Sequence, residues 1–205
     1  RSSWENNRKG WLETIQQELT YPLFVKPANL GSSVGISKVD EVDQLEQAID
    51  YAFKFDRKIV IENGVTAREV EVAVLGNDSP ICSVAGEIKP LADFYDYEAK
   101  YSDQSTELVI PAVLDEKVYD ELVRMAKEAY RVLDCAGLVR ADFFVTDNQE
   151  IYINEVNTLP GFTPVSMYPL LWKETGKPYS ELITDLIDLA YERYEEKQSI
   201  QYTRD

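Results

Sequence analysis

Two short strings, Arg140-Ala141-Asp142 and Glu155-Val156-Asn157, carry the side chains best suited to chemistry in this chain. Between them lie two β-rich runs around a polar turn, a pattern that predicts a β-hairpin. If the hairpin pairs Asp142 with Glu155, it also pairs Arg140 with Asn157, and all four side chains share one face. Two carboxylates and an amide oxygen suit Mg²⁺, with a phosphate-binding guanidinium beside them. The alternative is a solvated hairpin face of mixed charge.

A second candidate site begins at Lys26, which leaves a short apolar strand and precedes the turn Gly31-Ser32-Ser33-Val34-Gly35. The free backbone N–H groups of such a turn, with a lysine nearby, are suited to holding a polyphosphate. The spacing is not that of a P-loop, because no Gly-Lys-Ser/Thr follows. An ordinary turn with a solvated lysine remains the alternative.

Three weaker signals accompany these. The strand ending at Glu62 leads into a linker whose backbone suits an adenine edge, and Glu69 suits ribose hydroxyls, although most such glutamates are solvated. Lys100 lies in an aromatic, aperiodic segment, residues 90–107, which we interpret as a loop closing over a nucleotide or as a floppy loop. The N–H of Gly161 either faces an oxyanion or only makes a turn.

Composition narrows the chemistry. The chain of 205 residues has no histidine, a net charge of −16 and two cysteines. Absence of histidine excludes Ser-His-Asp hydrolases and histidine-ligated zinc enzymes. The acidic balance argues against nucleic acid, and no run reaches the ~20 apolar residues that span a bilayer. With no signal peptide and too few cysteines for a disulfide framework, we expect a cytoplasmic protein without a membrane partner.

The apolar spacing predicts an α+β chain of antiparallel sheets with helices on one side. Asp40 and Ser180 are expected to cap helices, with Ile183 and Ile187 in the core face of the last one. The strand Glu69–Leu75 alternates as a half-solvated strand should. The segment from Pro160 to Pro169 is expected to be irregular.

Five motifs stand in one order along the chain: VKPANLGSSVG, IVIENGVTARE, FYDYEAKY, LVRADFF and INEVNTLPGFTPVSM. Together they resemble the D-alanine–D-alanine ligases of the ATP-grasp superfamily, from about Tyr21 to Tyr194. The resemblance implies two α+β subdomains whose antiparallel sheets sandwich the nucleotide, with a central subdomain at 1–64 and a C-terminal one at 65–205. It also implies ligation of two D-alanine molecules through an acyl phosphate, for peptidoglycan precursor synthesis.

The resemblance implies a role for each matching residue. The ATP site would comprise Lys26, Ser33, Glu62, Asn63, Val65, Glu69, Lys100 and Phe144. Asp142, Glu155 and Asn157 would hold two Mg²⁺ ions, for which Mn²⁺ can substitute. Arg140 and the Gly161 amide would form the oxyanion site, Ser166 and Met167 would bind the second substrate's carboxylate, and Ser32 with Tyr101 would bridge the closing loop.

Two departures from the family pattern matter. Family members are longer and open with a domain that helps bind the first D-alanine, so we expect this chain to be a truncated piece that binds ATP but ligates poorly. The family is expected to form homodimers. Asn63 stands where a lysine is common beside the adenine.

Other functions remain open. A ligase joining D-alanine to D-lactate or D-serine is the nearest rival, although in the resembling enzymes a hydroxyl at the place of Tyr101 goes with dipeptide formation. A different ATP-grasp carboxylate–amine ligase is expected to lack the YEAKY loop. A non-catalytic ATP-binding module is the alternative from another class.

Overall fold

The computed structural model describes residues 1–90, 106–201 and 203, which form two compact units. The first unit is Arg1–Thr66, and the second begins at Ala67, close to the division drawn from the sequence at 64/65. Of the predicted loop 90–107, residues 91–105, including Lys100 and Tyr101, lie outside the described residues, so the loop prediction stays a prediction there. Pro90, Thr106 and Glu107 lie in strands instead.

The first unit is built on a three-stranded antiparallel sheet in the order β2-β1-β3. Along β1, buried and partly exposed residues alternate, so Leu23 and Val25 face a core shared with α3, while Phe24 and Lys26 point to the other face. The elements are α1 (Ser2–Asn6), α2 (Arg8–Glu18), β1 (Leu23–Pro27), β2 (Ser37–Val39), α3 (Val42–Ala52) and β3 (Ile59–Asn63).

The cap of α3 differs from the prediction. Glu41, not Asp40, is the N-cap, and its side chain and that of Gln44 form a reciprocal capping box. The Gln44 side chain also accepts a hydrogen bond from the backbone N–H of Asp40 at 3.0 Å. An acidic N-cap three residues before a glutamine satisfies the same free N–H groups as the more familiar Ser or Thr box.

The second unit is built on a five-stranded antiparallel sheet in the order β6-β5-β4-β7-β8. Strand β4 therefore lies between its sequence neighbour β5 and the distant β7. The elements are β4 (Arg68–Gly76), β5 (Ile81–Pro90), β6 (Thr106–Val109), α4 (Glu116–Val132), β7 (Gly137–Val145), β8 (Ile151–Asn157), α5 (Met167–Glu174) and α6 (Tyr179–Gln198).

Helices cover both faces of this sheet, so the expectation of helices on one side is wrong for this unit. On one face, α4 packs its buried Leu122 and Ala126 against Val70, Val72 and Val74. On the other face, α5 and α6 pack against β4, whose Ala73 and Leu75 are buried with Leu171 and Leu182. Six consecutive residues of β4 are buried for this reason, and the predicted half-solvated strand is not found.

The C-terminal helices also correct the prediction. Helix α5 occupies part of the segment expected to be irregular, and Pro169 lies in its first turn, where a missing N–H costs no helical hydrogen bond. Helix α6 begins after Pro178, so Ser180 lies inside the helix rather than capping it. Ile183 and Ile187 are 38% and 51% exposed instead of buried.

No helix within the described ranges, 1–90 and 106–201, is long and apolar enough to cross a membrane.

Candidate functional site

The predicted hairpin forms, and at the four site residues it has the register that the sequence analysis assumed. Strands β7 and β8 pair antiparallel with Asp142 opposite Glu155 and Arg140 opposite Asn157. The register then shifts by one residue, since Phe143 pairs with Ile153, which leaves Asn154 as the extra residue of a β-bulge. The four chemically important residues therefore lie at paired positions next to a bulge that interrupts the ladder, which continues from Phe143–Ile153 to Val145–Ile151.

The four side chains form one hydrogen-bonded network rather than a solvated face. Arg140 donates to both oxygens of Asp142, from Nε to Oδ1 and from Nη2 to Oδ2, each at 2.7 Å. The Asn157 amide donates to Asp142 Oδ2 at 2.9 Å and to Glu155 Oε1 at 3.1 Å. Asp142, at the centre of the network, is only 8% exposed, whereas Glu155 at its edge is exposed to water.

A fifth member of the cluster, Glu71, was missed by the sequence reasoning. It lies on β4 directly opposite Asp142, is 5% exposed, and places Oε2 at 3.0 Å from Nε of Arg140. Its spacing of two from Glu69 indicated a shared face, but nothing local indicated that β4 pairs with β7. Only that long-range pairing brings Glu71 to the cluster.

The cluster carries more negative than positive charge, because Glu71, Asp142 and Glu155 share one guanidinium. Burial and the charge of Asp142 raise the pKa of Glu71, and burial raises the pKa of Asp142 although Arg140 acts in the opposite direction. Burial disfavours the charge on Arg140, but the Asp142 hydrogen bonds and the Glu71 charge outweigh it, so its pKa lies above the ordinary value. Surplus negative charge in a partly buried site favours a bound cation.

The donor set fits a hard divalent cation, since Asp142, Glu155 and Asn157 offer carboxylate and amide oxygens. The set is not preassembled as an ion cage. Arg140 and Asn157 occupy both oxygens of Asp142, and among residues 1–90 and 106–201 no group of three or more His, Cys, Asp or Glu stands ready to hold a metal ion.

The remaining candidates on β4 and β7 lie beside this cluster. Phe144 pairs with Glu69 across the two strands, two residues along from the Asp142–Glu71 pair, and is half-buried. Side chains two apart share a face of a strand. Glu69 and Phe144 therefore extend the same face of the sheet.

Gly161 and Ser166 lie close together at the start of α5. A Cβ added to Gly161 would meet Ser166 Oγ at 3.1 Å. Ser166 Oγ accepts a hydrogen bond from the Thr163 N–H at 3.0 Å and lies 2.8 Å from the Thr163 hydroxyl. The Met167 side chain is 7% exposed and packs in the core, so any contact with a substrate would come from its backbone amide.

In the first unit, Lys26 and Glu62 lie on the sheet face opposite α3. Lys26 Nζ is 2.6 Å from Glu62 Oε1, and the two side chains are 21% and 39% exposed. The Asn63 side chain accepts a hydrogen bond from the Thr20 N–H at 2.9 Å, so it is tied to the backbone. Val65, in the linker after β3, is 44% exposed.

The turn after Lys26 has an unusual backbone. Ser32 and Ser33 have φ values of 54° and 58°, in the left-handed region that residues other than glycine rarely adopt. At Gly35, with φ of 75°, an added Cβ would meet Phe55 at 2.6 Å and Pro27 at 2.8 Å. Strained non-glycine residues are often found at ligand-binding loops, which favours a functional turn over an ordinary one.

Comparison with known proteins defines the class to which this fold and this site belong. The model of the family described as D-ala D-ala ligase C-terminus matches residues 1–188. The chain belongs to this family.

Curated relatives agree with the family match. The chain is 56% identical over 203 residues to a D-alanine–D-alanine ligase of Bacillus licheniformis, covering 99% of the chain and 56% of the relative. It is 58% identical over 200 residues to one of Geobacillus thermodenitrificans, covering 98% of the chain and 55% of the relative. The chain thus spans little more than half the length of these relatives.

Solved structures match as well. The D-alanine-D-alanine ligase of Coxiella burnetii matches with a TM-score of 0.81 and 35% identity, over 93% of this chain and 50% of that one. The VanG D-Ala:D-Ser ligase of Enterococcus faecalis matches with a TM-score of 0.81 and 40% identity, over 90% of this chain and 54% of that one. The expected α+β ATP-grasp fold is confirmed.

Proposed function

We propose that this chain is the ATP-binding and metal-binding part of a D-alanine–D-alanine ligase, which joins two D-alanine molecules for peptidoglycan precursor synthesis. One observation carries the proposal: Arg140, Asp142, Glu155 and Asn157 lie in a single network on paired strands, in a chain 56% identical to a named ligase of this type. The two free cysteines suit a reducing compartment, the cytoplasm.

In the first unit, we assign the nucleotide to the face that bears Lys26 and Glu62. The Lys26 ammonium suits the ATP phosphates, and the strained turn offers the Ser33 N–H to the γ-phosphate. Glu62 and the backbone from Asn63 to Val65 suit the adenine. Lys26 is paired with Glu62 at 2.6 Å, and a phosphate would share the ammonium with Glu62 or replace it, since the ammonium has three N–H donors.

In the second unit, we assign Asp142, Glu155 and Asn157 to two Mg²⁺ or Mn²⁺ ions. Bound ions of this kind neutralise charge on a transferring phosphoryl group. Support comes from the oxygen donor set and from the surplus of carboxylates over the one guanidinium. Glu69 is assigned to the ribose, and Phe144 to the same nucleotide site.

The reaction then proceeds in two steps. The carboxylate of one D-alanine attacks the γ-phosphorus of ATP, which releases ADP and leaves an acyl phosphate. The amine of the second D-alanine attacks that carbonyl, loses a proton as the amide forms, and the intermediate expels phosphate. We assign the oxyanion to Arg140 and the Gly161 amide, each worth about 3 kcal/mol by analogy with known oxyanion sites.

The second substrate is assigned to the start of α5. The backbone N–H of Met167 and the Ser166 hydroxyl are suited to its carboxylate, because a helix N-terminus favours negative charge. Lys100, with Tyr101 and Ser32, is assigned to closing over the reacting groups. We also propose that the whole ligase forms a homodimer.

A D-alanine–D-serine ligase is the second candidate, and one finding favours it: the VanG D-Ala:D-Ser ligase shares 40% of its matched sequence with this chain. The identities of 56% and 58% to D-alanine–D-alanine ligases favour D-alanine as the second substrate. D-lactate is a third acceptor that the same experiment tests.

Product analysis tests the proposal. The protein is incubated with ATP, MgCl₂ and D-alanine, alone and with equimolar D-serine or D-lactate, and the products are identified by mass spectrometry. Because the chain spans 56% of a ligase that it matches, we expect slow turnover, with D-alanyl-D-alanine as the main product and one ADP released for each dipeptide in every mixture. If D-alanyl-D-serine or the D-lactate depsipeptide is the main product, the second substrate is D-serine or D-lactate and the proposal is wrong.

Nucleotide binding separates a ligase part that turns over slowly from a protein of another function. We expect a fluorescent ATP analogue to bind in the presence of MgCl₂ and to bind far more weakly with EDTA. The matched variant Asp142→Asn should lose this Mg²⁺ dependence. Binding that is absent, or equal with and without Mg²⁺, would contradict the proposal.

A further inference from the structure

Glu71 is a buried carboxylate whose bonding is incomplete. Its Oε2 lies 3.0 Å from Nε of Arg140, yet within the described part of the chain this oxygen accepts no hydrogen bond. The reason is geometric: the Nε–H points to Asp142 Oδ1 at 2.7 Å instead. A carboxylate that is 5% exposed and lacks a donor is costly, so its presence calls for an explanation.

Asp142 has the opposite condition, because each of its oxygens already accepts at least one hydrogen bond. Oδ1 accepts from Arg140 Nε, and Oδ2 accepts from Arg140 Nη2 and from the Asn157 amide. A divalent cation that binds Asp142 needs an oxygen now held by the guanidinium. Arg140 and the cation therefore compete for the same atoms.

Displacing Arg140 is expensive unless a second partner is at hand. The Arg140 side chain is only 21% exposed, and a buried guanidinium without a carboxylate loses hydration that nothing replaces. Glu71 lies on the neighbouring strand opposite Asp142, and its Oε2 is already 3.0 Å from Arg140 Nε, so a small rotation of the guanidinium would aim an N–H at Glu71. Asp142 and Glu71 therefore lie on either side of the Arg140 guanidinium, on adjacent strands.

We propose that Glu71 is a positioning residue that takes over the Arg140 guanidinium when a divalent cation takes Asp142. The exchange leaves Arg140 paired and fixed beside the metal ligands, where the proposed ligase reaction needs it. This inference rests on the proposed assignment of Asp142 as a metal ligand. Glu71 lies outside the sequence motifs from which the metal and nucleotide residues were assigned, so this role is additional to theirs.

Mn²⁺ binding measures the exchange without any turnover. Free Mn²⁺ is followed by electron paramagnetic resonance as MnCl₂ is added to the protein and to two variants. In Glu71→Gln, Arg140 loses its alternative partner, and we expect the Mn²⁺ dissociation constant to rise by about tenfold or more. The control Glu87→Gln removes another carboxylate that is 5% exposed and paired with an arginine, Arg68, but on the opposite face of the sheet. We expect this control to change the constant less than twofold.

A double-mutant cycle separates positioning from the simple loss of a nearby negative charge. If Glu71 acts through Arg140, then Glu71→Gln has little further effect on Mn²⁺ affinity in the Arg140→Gln background. An equal loss of affinity in both backgrounds would show that Glu71 acts only by its charge, and would overturn the proposal. Far-ultraviolet circular dichroism checks that each variant is folded.

A crystal of the unsubstituted protein soaked in MnCl₂ gives the direct answer and depends on no variant. We expect Mn²⁺ on Asp142, with the hydrogen bonds from Arg140 to Asp142 broken and the guanidinium donating hydrogen bonds to the Glu71 carboxylate instead. Mn²⁺ on Asp142 with Arg140 still paired there would overturn the exchange and leave the ligase assignment intact. No Mn²⁺ at Asp142 would overturn both.

Discussion

At the scale of single residues, the two candidate binding points share one feature: each cation is already neutralised by a neighbouring carboxylate. Lys26 is paired with Glu62, and Arg140 with Asp142. A ligand therefore has to share the basic group with this carboxylate or displace it. The ion pair keeps each basic side chain oriented. The affinity for a phosphate or a metal ion therefore depends on how strong the new interaction is relative to the existing ion pair.

Replacing Lys26 tests the nucleotide assignment. A hydrogen bond to a charged group is worth about 1.5–3 kcal/mol, so Lys26→Ala should weaken binding of a fluorescent ATP analogue roughly ten- to hundredfold. Lys54→Ala is the matched control, because Lys54 lies beyond α3, with Nζ 5.6 Å from the centre of the Tyr51 ring. If both variants bind the analogue as the unsubstituted protein does, Lys26 does not contact the phosphates.

Cys82 is predicted to be an unreactive thiol. Burial raises its pKa from 9.0 to about 11, which lowers the thiolate fraction at pH 7.5 about a hundredfold. The pKa of Cys82 is higher in the folded than in the unfolded protein, so deprotonation of the thiol costs more in the folded state. The stability that belongs to the protonated thiol is therefore fully present below pH 9 and is lost as the pH rises through about 11.

Alkylation measures this directly. In the Cys135→Ser variant, iodoacetamide at pH 7.5 should modify Cys82 about a hundredfold more slowly than it modifies the same protein unfolded in guanidinium chloride. Equal rates in the two conditions would mean that Cys82 is neither buried nor shifted.

At the scale of elements, the position of α5 depends on a glycine of the sheet beneath it. A Cβ at Gly86 would meet Leu171 Cδ2 at 2.8 Å and Met167 Sδ at 2.9 Å. A side chain at position 86 would therefore force the buried Leu171 and Met167 side chains of α5 to move. The same close packing fixes the start of α5, where Ser166 and Gly161 meet.

Gly86→Ala should therefore lower the free energy of unfolding by about 1–3 kcal/mol, the usual cost of overpacking a core. Urea denaturation measures the change. Gly31→Ala is the control, because an added Cβ there has no neighbour within 4 Å, and we expect it to change stability by less than about 0.5 kcal/mol. A neutral Gly86→Ala would mean that α5 shifts without loss of packing.

The elements also show which parts of the structure a sequence can reveal. The β7–β8 hairpin was predicted because its two strands and its polar turn are adjacent in the chain. Its register was an assumption. The pairs from Phe143 to Val145, continued without a break, would place Asn154 opposite Asp142, and only the bulge, which was not predicted, brings Glu155 there. The place of β4 beside β7 was not predicted, and neither Glu71 nor the helices on both sheet faces could be inferred without it. Helix α5 was missed because Pro169 suggested a break, although a first-turn proline is compatible with a helix.

At the scale of the whole molecule, the net charge of −16 is the dominant feature. Carboxylates outnumber the basic side chains, and each unit folds around its own core despite the repulsion this creates. Self-repulsion of this kind destabilises a compact state and is weakened by salt. The same excess favours the uptake of divalent cations at the few points where carboxylates are held together.

Salt should therefore stabilise the protein. Raising NaCl from 0.01 M to 0.15 M shortens the Debye length from about 30 Å to about 8 Å and screens most of the repulsion between surface carboxylates. A gain of about 1 kcal/mol corresponds to a rise of about 2–4 °C in the melting temperature of a chain of this size. Differential scanning calorimetry at pH 7.5 measures this rise.

At pH 4.5, close to the sequence pI of 4.4, the net charge is nearly zero and the same addition of salt should have little effect. A melting temperature that rises equally at both pH values would attribute the stabilisation to a general effect of salt on the protein surface instead of to its charge.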